Sequence, residues 1–158
     1  MVDSHPYIYE AHYTRSPFQL IGGQGWKRLI AFRVDDTGVT LGGAPARYRS
    51  QTAFVPWDDI TSVVIWQWRL KAGAPSWVPA DEKMDYVGVS RRPGAPPLPG
   101  PNSRLQPEQA RRQAPHIDHQ LLLASRAINL WRLDPDRLRA AVAAFAAHVP
   151  VHDIRHIG

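Results

Sequence analysis

Histidines and paired acids are the residues of this 158-residue chain that could do proton-transfer or metal chemistry. His116 and His119 stand three apart, and His148, His152 and His156 stand four apart. A four-residue spacing aligns ligands only on one face of a continuous helix, and Pro150 interrupts this run. A three-residue spacing at a strand entry sends His116 and His119 to opposite faces. These histidines therefore read as solvated or capping groups, with no metal. Asp58 and Asp59 are adjacent, so on a strand they cannot share a proton. In the bend after Pro56 they accept hydrogen bonds from nearby amides instead. No G-x-S-x-G element supplies a nucleophile, and Gly22-Gly23-Gln24-Gly25 lacks both the P-loop lysine and the dinucleotide spacing. With no cysteine there is no disulfide, thiolate metal site or cysteine nucleophile. No catalytic residue and no cofactor is assigned.

Binding chemistry is better represented. The formal charge is +5, and residues 91–112 hold Arg91, Arg92, Arg104, Arg111 and Arg112 against Glu108 alone. The rest of the chain is close to neutral. A phosphate-gripping surface spreads its cations over a folded face with aromatics between them, so nucleic acid is not an expected partner. Six tryptophans exceed the needs of one small core. Trp57, after Pro56, reads as a core anchor, and Trp66 and Trp68 share a strand face with Val64, which makes them core. Trp77, between Pro75 and Pro79, is the exposed aromatic. Trp77, Arg91 and Arg92 are accordingly the candidate partner-binding residues, and Lys27 and Arg28 the candidate lipid contacts.

The elements that must position these residues are mostly strands. Tyr7, Tyr9 and Tyr13 mark an opening strand, and Gly22, Gly23 and Gly25 a flexible turn before Trp26. Ile30, Phe32 and Val34 alternate with Arg33, the Asp35–Gly38 turn follows, and Val39 and Leu41 resume the alternation, which predicts a β-hairpin over 28–42. Thr52 to Val55 is a short strand ended by Pro56. Residues 60–70 form the longest β-branched and aromatic run, followed by a strand over 85–90. Residues 92–115 carry seven prolines and two glycines among few large apolar side chains, which predicts a mobile insert. Leu121–Leu123 and Ala127–Trp131 read as one or two further strands. Asp134 as N-cap, Pro135 at the first helical position and the stripe Leu138, Val142, Phe145, Ala146 and Val149 predict an amphipathic C-terminal helix that Pro150 stops. Residues 151–158 read as a tail.

FRVDDTGVTL, FVPWDDITSV and LDPDRLRAAVAAFAAHV together resemble the strand–turn–strand, the strand entry and the capping helix of bacterial pleckstrin-homology-like (PH-like) domains, over residues 26–149. The resemblance implies an α+β, mainly β fold: a small β-barrel or sandwich of about seven strands capped by one C-terminal helix, as a single domain over 1–158. It also implies a binding scaffold without shared catalytic residues. Some eukaryotic members bind phosphoinositides through a basic loop between the first two strands, and Trp26-Lys27-Arg28 lies near the corresponding region.

The expected function is thus a non-enzymatic interaction module for a protein or peptide, engaged by a sheet edge, the Trp77 loop or the arginine-bearing insert. The alternative is a small barrel that binds or transforms an apolar small molecule in an interior cavity. An anionic membrane surface is a further partner that the charge admits, and an uncovered strand edge or helix face admits a homodimer. No leader pattern or apolar run of spanning length is present, which reads as a cytoplasmic protein. Sixteen arginines against three lysines, with abundant alanine and proline, suggest a GC-rich, actinobacterial genome.

Overall fold

The computed structural model describes residues 5–21, 23–69, 83–103 and 105–156. Its first sheet is an antiparallel meander in chain order: β1 (Tyr9–His12), β2 (Ile30–Val34), β3 (Gly38–Leu41) and β4 (Ala53–Pro56). The hairpin expected over 28–42 is β2–β3, with Phe32 opposite Leu41 and Val34 opposite Val39. Asp35 closes its turn by accepting from the Thr37 amide at 2.8 Å, the Thr37 hydroxyl at 2.6 Å and the Gly38 amide at 3.2 Å. Burial opposes ionisation of the Asp35 carboxyl, but the hydrogen bonds from Thr37, Arg33 and Gly38 outweigh it and hold its pKa below the usual value. Glycine is required at 38 because a Cβ there would stand 2.1 Å from the Val55 carbonyl oxygen across the β3–β4 ladder. Two short helices, α1 (Phe18–Ile21) and α2 (Tyr48–Gln51), lie in the β1–β2 and β3–β4 connections.

The second sheet has the order β7-β6-β5-β8, built from β5 (Ile60–Arg69), β6 (Lys83–Arg91), β7 (Ser125–Ala127) and β8 (Val151–Asp153). Residues 151–153, read from sequence as part of a tail, instead add to β5 in parallel, with Val63 opposite Val151. Three residues are too short to show a strand period, and only the presence of the β5 edge makes them one. The two sheets are separate four-stranded layers, so the fold is α+β and mainly sheet, and the strands do not close into a barrel.

Between the layers lies one core. Phe32, Val34, Val39, Leu41 and Val55 from the first sheet meet Val63, Ile65, Val87 and Val89 from the second, and all nine are at most 1% exposed. Each such side chain contributes about 1.5–3 kcal/mol on burial. The C-terminal helix α5 (Pro135–Phe145) adds Leu138, Ala141 and Val142 to this core. Asp134 caps it as expected, accepting from the Arg137 amide at 3.2 Å, while its own amide donates to the Tyr9 hydroxyl at 2.9 Å. The helix ends at Phe145 rather than Val149, yet Ala146 and Val149 remain buried.

The other face of the second sheet is also covered. Val64 and Trp66 are buried there beneath α3 (Pro107–Gln113) and α4 (His119–Leu123), together with Ala110, Ala114, Ile117, Leu121 and Leu122. The expectation from sequence gains detail in one segment and is corrected in another. Residues 107–113 lie in the proline-rich insert yet form a helix, because Pro107 occupies a first-turn position where its missing N–H costs nothing and Gln106 and Gln109 cap each other. Leu121–Leu123 is helix rather than strand: Asp118 accepts from the Gln120 and Leu121 amides at 3.0 and 3.3 Å and so opens a helical turn. Three apolar residues in a row do not distinguish the two periods. The strand expected over 127–131 is β7, shifted to 125–127, after which Leu130 takes a left-handed φ of 63° and turns the chain away.

Arg126 ties the layers together. It is 3% exposed, and its guanidinium donates to the carbonyls of Gly42 (3.0 Å), Ser125 (2.9 Å), Gln51 (2.9 Å) and Pro99 (3.0 Å). Among the described residues no carboxylate neutralises it, and burial pushes its pKa down to about 10. At neutral pH it is still charged. The partial negative charges of four carbonyls take the place of a counterion.

Candidate functional site

The β1–β2 connection is organised around one buried amide. Gln19, 1% exposed, donates from Nε2 to the carbonyls of Gly25 at 2.7 Å and Lys27 at 2.6 Å, and its Oε1 accepts from the Ser16 amide at 3.3 Å. Gly23 and Gly25 take left-handed φ values of 73° and 65°, a conformation that glycine adopts without strain. The chain thereby folds into a compact knob. Around this brace, Leu20 (53% exposed), Ile21 (78%) and Trp26 (53%) face outward. Exposed large apolar side chains carried on a hydrogen-bonded support make this loop a candidate contact surface.

Cations rim these side chains. Arg15, Lys27 and Arg28 are exposed, and the turn Pro45–Arg47 packs against α1, which brings exposed Arg47 beside the knob, with Arg49 following it. Tyr48 fixes that segment by donating its hydroxyl to the Ile30 carbonyl at 2.8 Å. No acid occurs in the chain between Glu10 and Asp35, or between Asp36 and Asp58. Among the described residues, none of these five cations forms an ion pair.

Lys27 and Arg28, the expected lipid contacts, lie in this surface. The other expected contacts fall elsewhere. Trp77 lies outside the described residues. Arg92 donates to the Asp59 carboxylate at 2.7 Å, and its amide to the Asp59 carbonyl at 2.9 Å. Its charge therefore holds the end of β6 to the Trp57–Asp59 turn. Arg91 is half-buried and donates to the Pro96 carbonyl, and burial lowers its pKa. Trp57, at 9% exposure, is the core anchor its position implies, and donates from Nε1 to the Asp35 carbonyl at 2.8 Å. His116 and His119 hydrogen-bond through Nε2 to the Gln67 and Leu105 carbonyls at 3.2 and 2.9 Å, and no cluster of three metal-ligating side chains exists among the described residues.

Sequence reasoning missed Gln19, Leu20, Ile21, Arg47 and Arg49. The available signal was the isolated Leu20-Ile21 pair between a Ser-Pro step and a glycine run. Such a pair fits neither the helical nor the strand period, so it has no core face to occupy. Compared with protein-family models, curated proteins and solved structures, the chain matches none.

Proposed function

We propose that the protein is a non-catalytic, PH-like interaction module that docks onto an anionic membrane surface through the Gln19-braced knob. One observation carries this reading: Leu20, Ile21 and Trp26 are exposed on a loop braced by Gln19, in a stretch that carries Arg15, Lys27 and Arg28 and no acid between Glu10 and Asp35. A bilayer accepts such a loop without a pre-shaped pocket. Trp26 suits the headgroup region, and the aliphatic tips of Leu20 and Ile21 suit the acyl boundary. Each cation near an anionic leaflet contributes about 1 kcal/mol, and this contribution is screened by salt.

The succession of a four-stranded meander, a second sheet and a C-terminal amphipathic helix supports the PH-like reading of the scaffold. The knob falls between β1 and β2, the position at which the resemblance places a lipid-facing loop. No helix among the described residues is long and apolar enough to cross a membrane, so contact through the knob would be peripheral.

Co-sedimentation with vesicles of phosphatidylcholine containing phosphatidylserine tests the proposal. The chain is expected to sediment with them at low salt, to be released by high salt, and to ignore pure phosphatidylcholine. Ile21→Asp and the pair Lys27→Glu, Arg28→Glu should each abolish sedimentation while leaving the fold intact, because all three positions are exposed. A parent chain that stays in the supernatant with anionic vesicles at low salt overturns the membrane reading and returns the knob to a protein partner.

A further inference from the structure

A cleft of about 180 Å³ opens on the outer side of the second sheet, away from the knob and independent of its function. Trp66, Trp68 and Tyr86 line it from β5 and β6, and Asn102, Ala114 and Leu122 from the segments that cover them. Its size is informative. Pockets for drug-sized ligands run to about 300–1,000 Å³, whereas an apolar cavity of about 150 Å³ admits benzene. One or two fused rings fit.

The aromatic lining is pre-organised. Trp66 stacks on Tyr86 with ring centroids 4.3 Å apart and planes 11° apart. Trp66 Nε1 donates to the Ser125 hydroxyl at 3.0 Å, which in turn donates to the Leu121 carbonyl at 2.6 Å. His116 meets the Trp66 ring edge-on at 6.2 Å. Gly88, opposite Val64 on β6, lets β7 approach closely enough to seat Ser125, since a Cβ there would lie 2.1 Å from the Ser125 oxygen.

Two lining groups retain hydrogen-bonding capacity. The Asn102 amide donates to the Leu122 carbonyl at 3.4 Å, which leaves its carboxamide oxygen available. The Tyr86 hydroxyl makes no hydrogen bond with a described residue, and burial raises its pKa, so it stays protonated. A partly desolvated hydroxyl without a partner among the described residues is stabilised when a ligand supplies one. Among the described residues no charged side chain lines the cleft, so a charged ligand would find no counter-charge on them.

We infer that this cleft binds an uncharged, planar aromatic molecule of one or two fused rings, with a hydrogen-bonding edge directed to Asn102 and Tyr86. The half-buried Trp68 and Tyr86 supply ring contact, with buried Trp66 stacked on Tyr86 to hold it in place, and the two polar groups select for the edge.

Two-dimensional ¹⁵N–¹H NMR titration of the full chain with indole, benzene and cyclohexane tests this. Indole should give saturable shifts at the Trp66 and Trp68 ring N–H groups and at the Ala114 and Leu122 amides, benzene weaker saturable shifts, and cyclohexane none. Ala114→Leu, which fills the cleft, should weaken indole at least tenfold. Asn102→Leu should weaken indole about fivefold, the equivalent of one hydrogen bond of about 1 kcal/mol, and leave benzene unchanged. The half-buried position of Asn102 keeps the test decisive should Ala114→Leu fail to fold. Shifts that stay linear to the solubility limit of indole, or an Asn102→Leu variant that binds indole as the parent does, overturn the inference. Vesicle binding depends on other residues, so the two readings fail separately.

Discussion

Replacing Arg126 by methionine tests whether four carbonyls can stand in for a counterion. The substitution keeps an unbranched apolar stem in a site 3% exposed but leaves the Gly42, Gln51, Pro99 and Ser125 carbonyls without their donor. A hydrogen bond from a charged group nets about 1.5–3 kcal/mol, so four represent at least about 6 kcal/mol. Against this stands the cost of the buried charge. Lowering the guanidinium pKa from 12.5 to about 10 corresponds to about 3 kcal/mol, at about 1.4 kcal/mol per pH unit. The difference predicts a loss of at least about 2–3 kcal/mol. That is a large part of the about 5–15 kcal/mol that holds a typical domain together. Urea unfolding followed by tryptophan fluorescence measures it. Arg126→Lys should fall between parent and Arg126→Met, because one ammonium cannot span carbonyls drawn from the β3–α2 connection, the end of α2, the insert and β7. An Arg126→Met variant within about 1 kcal/mol of the parent, with an unchanged denaturant slope, would refute the reasoning.

Leu130 sits at a φ of 63°, so Leu130→Gly should be more stable than Leu130→Ala by about 1 kcal/mol; equal urea midpoints would show that the turn is unstrained. Gly88→Ala should cost more than about 2 kcal/mol and lower the thermal midpoint, because the new Cβ meets the Ser125 oxygen at 2.1 Å and the Ala124 carbonyl at 2.8 Å. Burial raises the Tyr13 pKa from 10.0 to about 12, with nearby Arg126 opposing the shift. The folded state therefore holds a proton that the unfolded state releases above pH 10, and stability should fall as pH rises from 10 towards 12. Tyr13→Phe should flatten that fall, as read by urea midpoints across the same window.

The β2–β3 hairpin, β5 and the α5 cap were legible because each signal lies within a few residues of what it specifies. Asp35 bonds the amides of its own turn, and Asp134 caps the helix it precedes. The helix within the insert was not legible because composition reports average apolar content, whereas α3 and α4 need only a few apolar positions, Ala110, Ala114, Leu121 and Leu122, to cover Val64 and Trp66. Of the knob, Lys27 and Arg28 were visible as charge. Its order was not, since a glutamine in a glycine-rich stretch carries no sign that it will be buried.

By itself, then, the sequence determined the strand faces, the turn acids, the helix cap and the absence of cysteine chemistry, all properties of residue type and short spacing. Tertiary structure decided which faces are covered, that Arg92 is held by Asp59, that Arg126 bridges two sheets and the insert, and that Leu20, Ile21 and Trp26 face outward. The physical reason is partner distance. Arg126 meets Gly42 across 84 residues and Trp66 meets Ser125 across 59, and no local pattern encodes what a side chain finds only after the layers have packed.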